Sequence, residues 1–148
     1  MELPKRILVP TDFSETSDKA LDYAVDLATL LKGSITVMHA YEIPIVGFPD
    51  GAIIASAEIA SKLLDSVQAA MDATIAKRKN KGVPLQPVIR QDVPYRAINA
   101  VADEMKADLI IIGTHGRRGI SRALLGSVAE NVIRTATRPV LTIHGPRE

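Results

Sequence analysis

"ADLIIIGTHGRRGISRALLGSVAENVIRTATRPVLTIH", residues 107–144, decides how this chain folds. It opens with "DLIIIG", apolar without alternation, which reads as a strand buried on both faces. A loop follows that holds Gly113, Gly116, Gly119 and Gly126 together with Arg117, Arg118 and Arg122, and no acid before Glu130. "SVAENVIRTA" then reads as a helix. Ser127 and Glu130 have the S-x-x-E spacing of a capping box, which places Ser127 at the N-cap. "RPVLTIH" is β-branched and apolar, and reads as a further strand. Strand, crossover helix and strand in this order call for parallel pairing.

The same alternation extends back to the N-terminus. "RILVP" (6–10) is a first strand, ended by Pro10, and "TDFSE" is a loop. Ala20, Ala24, Leu27, Ala28 and Leu31 recur at helical spacing between about Ser14 and Lys32, and Gly33 is placed to end that helix. "SITVMHA" (34–40) is a second strand. "YEIPIVGFPDG" (41–51), with two Pro and two Gly, reads as an apolar loop that either packs on its own domain or contacts a partner. A long helix is expected over Ile53–Lys81, buried through Ala60, Leu63, Leu64, Val67, Met71 and Ile75. Its basic end, "KRKNKG", reads as compensation of the helix dipole. "PLQPVIR" (84–90) is a third strand whose prolines suit an edge. "PYRAINAVADEMKA" (94–107) is a helix with Pro94 in its first turn.

The order β-α-β-α-β-α-β-α-β specifies an α/β protein with a parallel sheet and helices on both faces. No linker or internal repeat interrupts it, so residues 1–148 are read as one domain. Aromatic residues are only 3%, so the core is aliphatic and base-stacking nucleic-acid binding is disfavoured. The absence of cysteine removes disulfides, thiolate catalysis and Cys-ligated metals. No signal peptide and no stretch of membrane-spanning length is evident, so a cytoplasmic location without membrane insertion is expected. The net charge is +1, but residues 109–147 hold six arginines and one acid, which favours an anion or an acidic surface there.

A doubly wound sheet starts near its middle, so the first strand should lie beside the fourth. The loops after these strands then share one crevice, and ligands in such folds bind beyond the carboxyl ends of the strands. Asp12 and the glycine segment are therefore expected to be neighbours. Phosphate is well held by several main-chain N–H groups aimed at one spot, and glycine clears the approach. Gly113 and Gly116 open the loop, and Gly126 and Ser127 close it at a helix start, where free amides and the dipole favour an anion. The spacing is G-x2-G-x9-G-S. It is neither G-x-x-x-x-G-K-[ST] nor G-x-G-x-x-G.

That pattern, with "ILVPTDFSE" and "ITVMHAYE", resembles the ATP-binding branch of the universal stress protein family over nearly the whole chain. The resemblance implies a Rossmann-like, doubly wound, five-stranded parallel sheet in the order 3-2-1-4-5. It implies ATP, with Mg carried by the nucleotide, as the ligand. By the same resemblance Gly113, Gly116, Gly126, Ser127 and Val128 would cradle phosphates. Asp12, with Pro10 and Thr11, would lie against the ribose or the metal, and Ala40 would offer backbone contacts to adenine. From their place in the loop, His115 reads either as a phosphate contact or as a structural histidine, and Arg117, with Arg118 and Arg122, either as a phosphate contact or as a solvated or partner-facing residue. A homodimer or larger homo-oligomer through the last strand is implied, with nucleotide-dependent assembly or contacts to an unknown protein as the stress-response function. Where the family often has Gly in a G-x-P turn, this chain has Asp92-Val93-Pro94, a carboxylate that could reshape the adenine side.

Other readings of the same residues remain. Asp12 could hold its own loop by an Asx turn. His39 reads as a hydrogen-bonded core residue. A slow, autophosphorylating ATPase is an alternative function, as is an interaction module that ignores nucleotide. No water-positioning base, Walker lysine or nucleophile elbow is recognisable, so hydrolysis is expected to be slow at most.

Overall fold

The computed structural model describes residues 2–43, 46, 47, 49, 53, 54, 57–115 and 125–145. Five strands form one sheet: β1 (Arg6–Pro10), β2 (Ser34–Tyr41), β5 (Leu85–Gln91), β6 (Leu109–Gly113) and β7 (Val140–Ile143). They lie in the order β5-β2-β1-β6-β7, with every pairing parallel. Counted along the chain, the order is the expected 3-2-1-4-5, and the first strand does lie beside the fourth. Two short strands, β3 (Val46–Gly47) and β4 (Ile53–Ile54), pair antiparallel; β3 lies in the stretch expected to be loop and β4 at the start of the stretch expected to be helix.

Four helices cover the sheet: α1 (Glu15–Leu31), α2 (Ala57–Ala76), α3 (Pro94–Glu104) and α4 (Ser127–Thr135). The two-residue period of the strands divides the core. Ile7, Val9, Ile35, Val37 and Ile111 face α1 and α2, packing on Leu21, Ala24, Val25 and Met71. Leu8, Met38, Ile110 and Ile112 face α3 and α4, packing on Ile98, Val101, Ala129 and Val132. Among the described residues, no helix is long and apolar enough to cross a membrane.

Four local expectations need correction. Gly33 is not the left-handed residue that ends α1; Lys32 is, at φ 54°. Gly33 is required for a different reason: a Cβ there would stand 2.6 Å from the Lys5 carbonyl oxygen, which Ser34 N–H needs as its acceptor. The second helix begins at Ala57 rather than Ile53 and ends at Ala76, with a 3-10 turn at Lys79–Lys81. Its described stripe buries Val67, Met71 and Thr74 fully, while Ala60, Leu63, Leu64 and Ile75 are only partly covered.

The basic end of that helix does more than balance a dipole. Arg78 is 6% exposed. Its Nε donates to Asp22 Oδ1 at 2.8 Å, its Nη2 pairs with Asp18 Oδ1 at 3.4 Å, and its Nη1 donates to the Thr74 carbonyl at 2.7 Å. It therefore fastens the tail of α2 to the outer side of α1.

Hydrogen-bond parity along β2 and β5 fixes which backbone groups are spent. Ser34 and Met38 face β1, since Ser34 N–H donates to Lys5 O and Met38 O accepts from Thr11 N–H. Ile35 and Tyr41 face β5, through Pro84 O and Asp92 N. In β5 the even-numbered residues consequently face β2, and Pro87 turns its donor-less nitrogen outward from the sheet edge.

Candidate functional site

Beyond the carboxyl ends of β1, β2 and β6 lies a cavity of about 320 Å³. Of the eleven residues singled out from sequence, Pro10, Thr11, Asp12, Ala40, Gly113, His115, Gly126, Ser127 and Val128 line it. Gly116 and Arg117, with Arg118, Gly119 and Arg122, fall outside the described residues. Met38, His39, Pro94, Ile98 and Ile112 also contribute, and sequence reasoning assigned them no place at the site. Their signal was position: the C-terminal halves of β2 and β6 and the N-terminal half of α3 all meet the crevice.

The loop after β1 is held by its own side chains. Thr11 Oγ1 accepts Phe13 N–H at 3.0 Å and shares a hydrogen bond of 3.0 Å with Ser17 Oγ. Asp12 Oδ1 accepts Ser14 N–H at 3.0 Å, which is the Asx turn weighed above. Ser14 caps α1 by accepting Ser17 N–H at 3.2 Å. Phe13 adopts φ 64° and stacks on His39, with ring centres 4.6 Å apart. His39 Nδ1 is 2.7 Å from Thr11 O, an acceptor, so this nitrogen carries the proton. Asp12 thus has a structural job and still borders the cavity.

The opposite wall is less self-contained. Gly126, not Ser127, is the N-cap of α4, and no side chain caps it. Ser127 is the first helical residue, so the S-x-x-E spacing does not mark a capping box here. Gly126 N–H donates to Thr114 O at 2.6 Å and is consumed by that bond. The glycine amide expected to point at phosphate is therefore engaged internally. The amides of Ser127, Val128 and Ala129 follow it at the helix start, where no intrahelical acceptor exists. The glycines also have tighter reasons to be glycine than a clear path for a ligand. A Cβ at Gly113 would meet Thr16 Cγ2 at 2.9 Å, and one at Gly126 would meet Thr114 O at 3.0 Å.

At the other end of the cavity, β1 stops opposite Met38, which is paired with Pro10. Ala40 has the same parity as Met38, so its N–H and C=O face the space β1 has vacated. Asp92 does not line the cavity; its Oδ1 accepts Val93 N–H at 2.7 Å. The carboxylate is thereby turned to its own loop, and Pro94 and Ile98 form the wall instead.

The chain and its fold resemble proteins already known. Universal stress protein MJ0531 of Methanocaldococcus jannaschii is 35% identical over 148 residues, covering 99% of this chain and 85% of its own. The solved structure of hypothetical protein MJ0577 superposes with a TM-score of 0.84 at 29% identity, covering 99% of this chain and all of that one. A universal stress protein in complex with cAMP superposes with a TM-score of 0.71 at 27% identity, covering 97% and 98% of the two chains. Residues 4–144 match the universal stress protein family as a whole, and the chain belongs to that family.

Proposed function

We propose that this protein binds an adenine nucleotide, ATP foremost, across the carboxyl ends of β2, β1 and β6, and that occupancy biases its assembly or partner contacts under stress. The observation that carries this is the order of chemistries along the crevice. Ala40 offers a donor and an acceptor beside the apolar Met38, Pro94 and Ile98, as a base requires. Thr11 and Asp12 border the middle, as a ribose requires. The α4 amides lie on the far side of β1, as phosphate requires. Neighbouring strands are about 4.8 Å apart, so the two outer positions are separated by about 10 Å, the reach from base to phosphates. That a related protein of the same fold holds cAMP supports the ligand class.

Asp12 is the one acid among the described lining residues, so it is where a nucleotide-borne Mg would be met. Among the described residues no group of three His, Cys, Asp or Glu could hold a metal alone, so the metal would arrive with the phosphates. Binding rather than turnover is the proposed activity, in the cytoplasm. β7 is half-buried along its length and ends the sheet, which supports a homodimer formed there.

Calorimetric titration with ATP, with and without Mg, tests the reading. Saturable binding of one nucleotide per chain is expected, with a shift in sedimentation on binding. Folded protein that takes up no adenine nucleotide overturns it.

A further inference from the structure

The geometry points to His39 and Thr11 as positioning residues that keep the main-chain donor and acceptor of Ala40 open for the base. This deepens the nucleotide reading and rests on it. In a parallel ladder, a residue that faces the neighbouring strand donates to one residue there and accepts from the residue two further on. Met38, paired with Pro10, follows that rule: its carbonyl accepts Thr11 N–H at 2.8 Å. One step along, the same rule would join Ala40 N–H to Thr11 O, and Ala40 O to Phe13 N–H. Among the described residues neither bond forms. The Thr11 carbonyl accepts from His39 Nδ1 at 2.7 Å instead. Phe13 N–H donates to Thr11 Oγ1 at 3.0 Å. Each group that would close the ladder on Ala40 is therefore held by a side chain.

The diversion is anchored on both sides. Phe13 leaves the strand direction at φ 64°, and its ring rests on the His39 ring with centres 4.6 Å apart. Thr11 Oγ1 is fixed in turn by Ser17 Oγ at 3.0 Å. A carbonyl can only accept, so Nδ1 donates to Thr11 O whether or not the other ring nitrogen also carries a proton. β5 does not serve the Ala40 groups, because Ile35 and Tyr41, of the opposite parity, are the residues that bond it. Ala40 thus presents one donor and one acceptor to the cavity it lines. A base edge with an acceptor nitrogen beside an amino group answers both. Without the His39 donor, Thr11 O is free to take Ala40 N–H, and the ladder extends by one step into the place of the base.

His39→Phe keeps a ring against Phe13 and removes the donor; His39→Asn keeps a donor near the place of Nδ1. Amide hydrogen exchange of the ligand-free protein reads the diversion directly. Ala40 should exchange fast in the wild type and at least about tenfold more slowly in His39→Phe, once Thr11 O accepts its amide. His39→Asn should restore fast exchange. Loss of packing alone would speed exchange, so the sign separates positioning from stability. Calorimetry with adenosine, ATP and inorganic triphosphate reads the consequence. His39→Phe should weaken adenosine and ATP about tenfold each and leave triphosphate unchanged, with His39→Asn near the wild type. An Ala40 amide that is slow in the wild type, or as fast in His39→Phe, overturns the inference, and so does an equal loss for triphosphate. Thr11→Val tests the other half should His39→Phe not fold. Its Phe13 amide, deprived of Oγ1, should stay protected by turning to Ala40 O, and unprotected Phe13 there overturns the inference too. Folded wild type that binds neither adenosine nor ATP overturns the nucleotide reading, while the exchange of Ala40 still decides the positioning.

Discussion

Two helices begin at the crevice, and they begin differently. At the start of α1, Ser14, Thr11, Asp12 and Ser17 answer one another's donors and acceptors within a few residues of chain. At the start of α4, Gly126 brings no side chain, spends its own amide on Thr114, and leaves the next amides without a partner in the helix. The closed end builds the wall; the open end is free to serve a ligand. The lesson concerns reading as much as structure. A serine at a helix start can be the cap, as Ser14 is, or stand one residue inside, as Ser127 does. Only in the first case does the fold use its hydroxyl.

Replacing Gly126 by Val attacks the open end and should have the largest effect. The added Cβ would press on Thr114 O at 3.0 Å and the branched side chain would crowd the amides behind it. Nucleotide affinity should fall at least about a hundredfold, about 2.7 kcal/mol, in a calorimetric titration of protein shown to be folded. Unchanged affinity would break the comparison.

The two serines sharpen it. Ser14→Ala should lower unfolding free energy by about 1 kcal/mol in urea and barely change nucleotide affinity. Ser127→Ala should do the reverse, with a stability change under about 0.5 kcal/mol and affinity several-fold weaker. Equal loss of stability in both would mean that Ser127 is a cap after all.

The smallest effect lies at the opposite end of the sheet. Asp108 accepts from the Arg6 guanidinium and from the N–H groups of Arg6 and Lys5. These, with the Arg6 side chain contributing most, hold its carboxyl down at about 2. Because the folded value is depressed, its contribution is present above the ordinary carboxylate range and is lost as pH falls toward 2. The stability gap between wild type and Asp108→Asn should be under about 1 kcal/mol at pH 7, since the pair is screened by solvent. Urea unfolding should show that gap closing by about pH 2.

The strand-helix alternation was legible because apolar runs and helical spacing are local properties. The neighbour relation of Asp12 to the glycine segment was legible too, because winding a parallel sheet from its middle leaves little choice. What escaped the sequence depends on close approach. Gly33 looks like a helix terminator until Lys5 O is seen where its Cβ would go. Arg78 looks like one more cation in "KRKNKG" until the turn of α2 aims it at Asp18 and Asp22. Met38 and Ile98 carry no motif, and they reach the cavity only because their elements end there. The pairing of Thr114 with His144 joins residues thirty apart and has no signature at all.

Pro87 gives the two borders of the sheet unequal futures. Its outward nitrogen has no hydrogen to offer, so a strand arriving along β5 would find a gap in the ladder. β7 contains no proline and retains its full set of outward donors. Joining of two copies through β7 alone would terminate at two chains instead of propagating into a fibre.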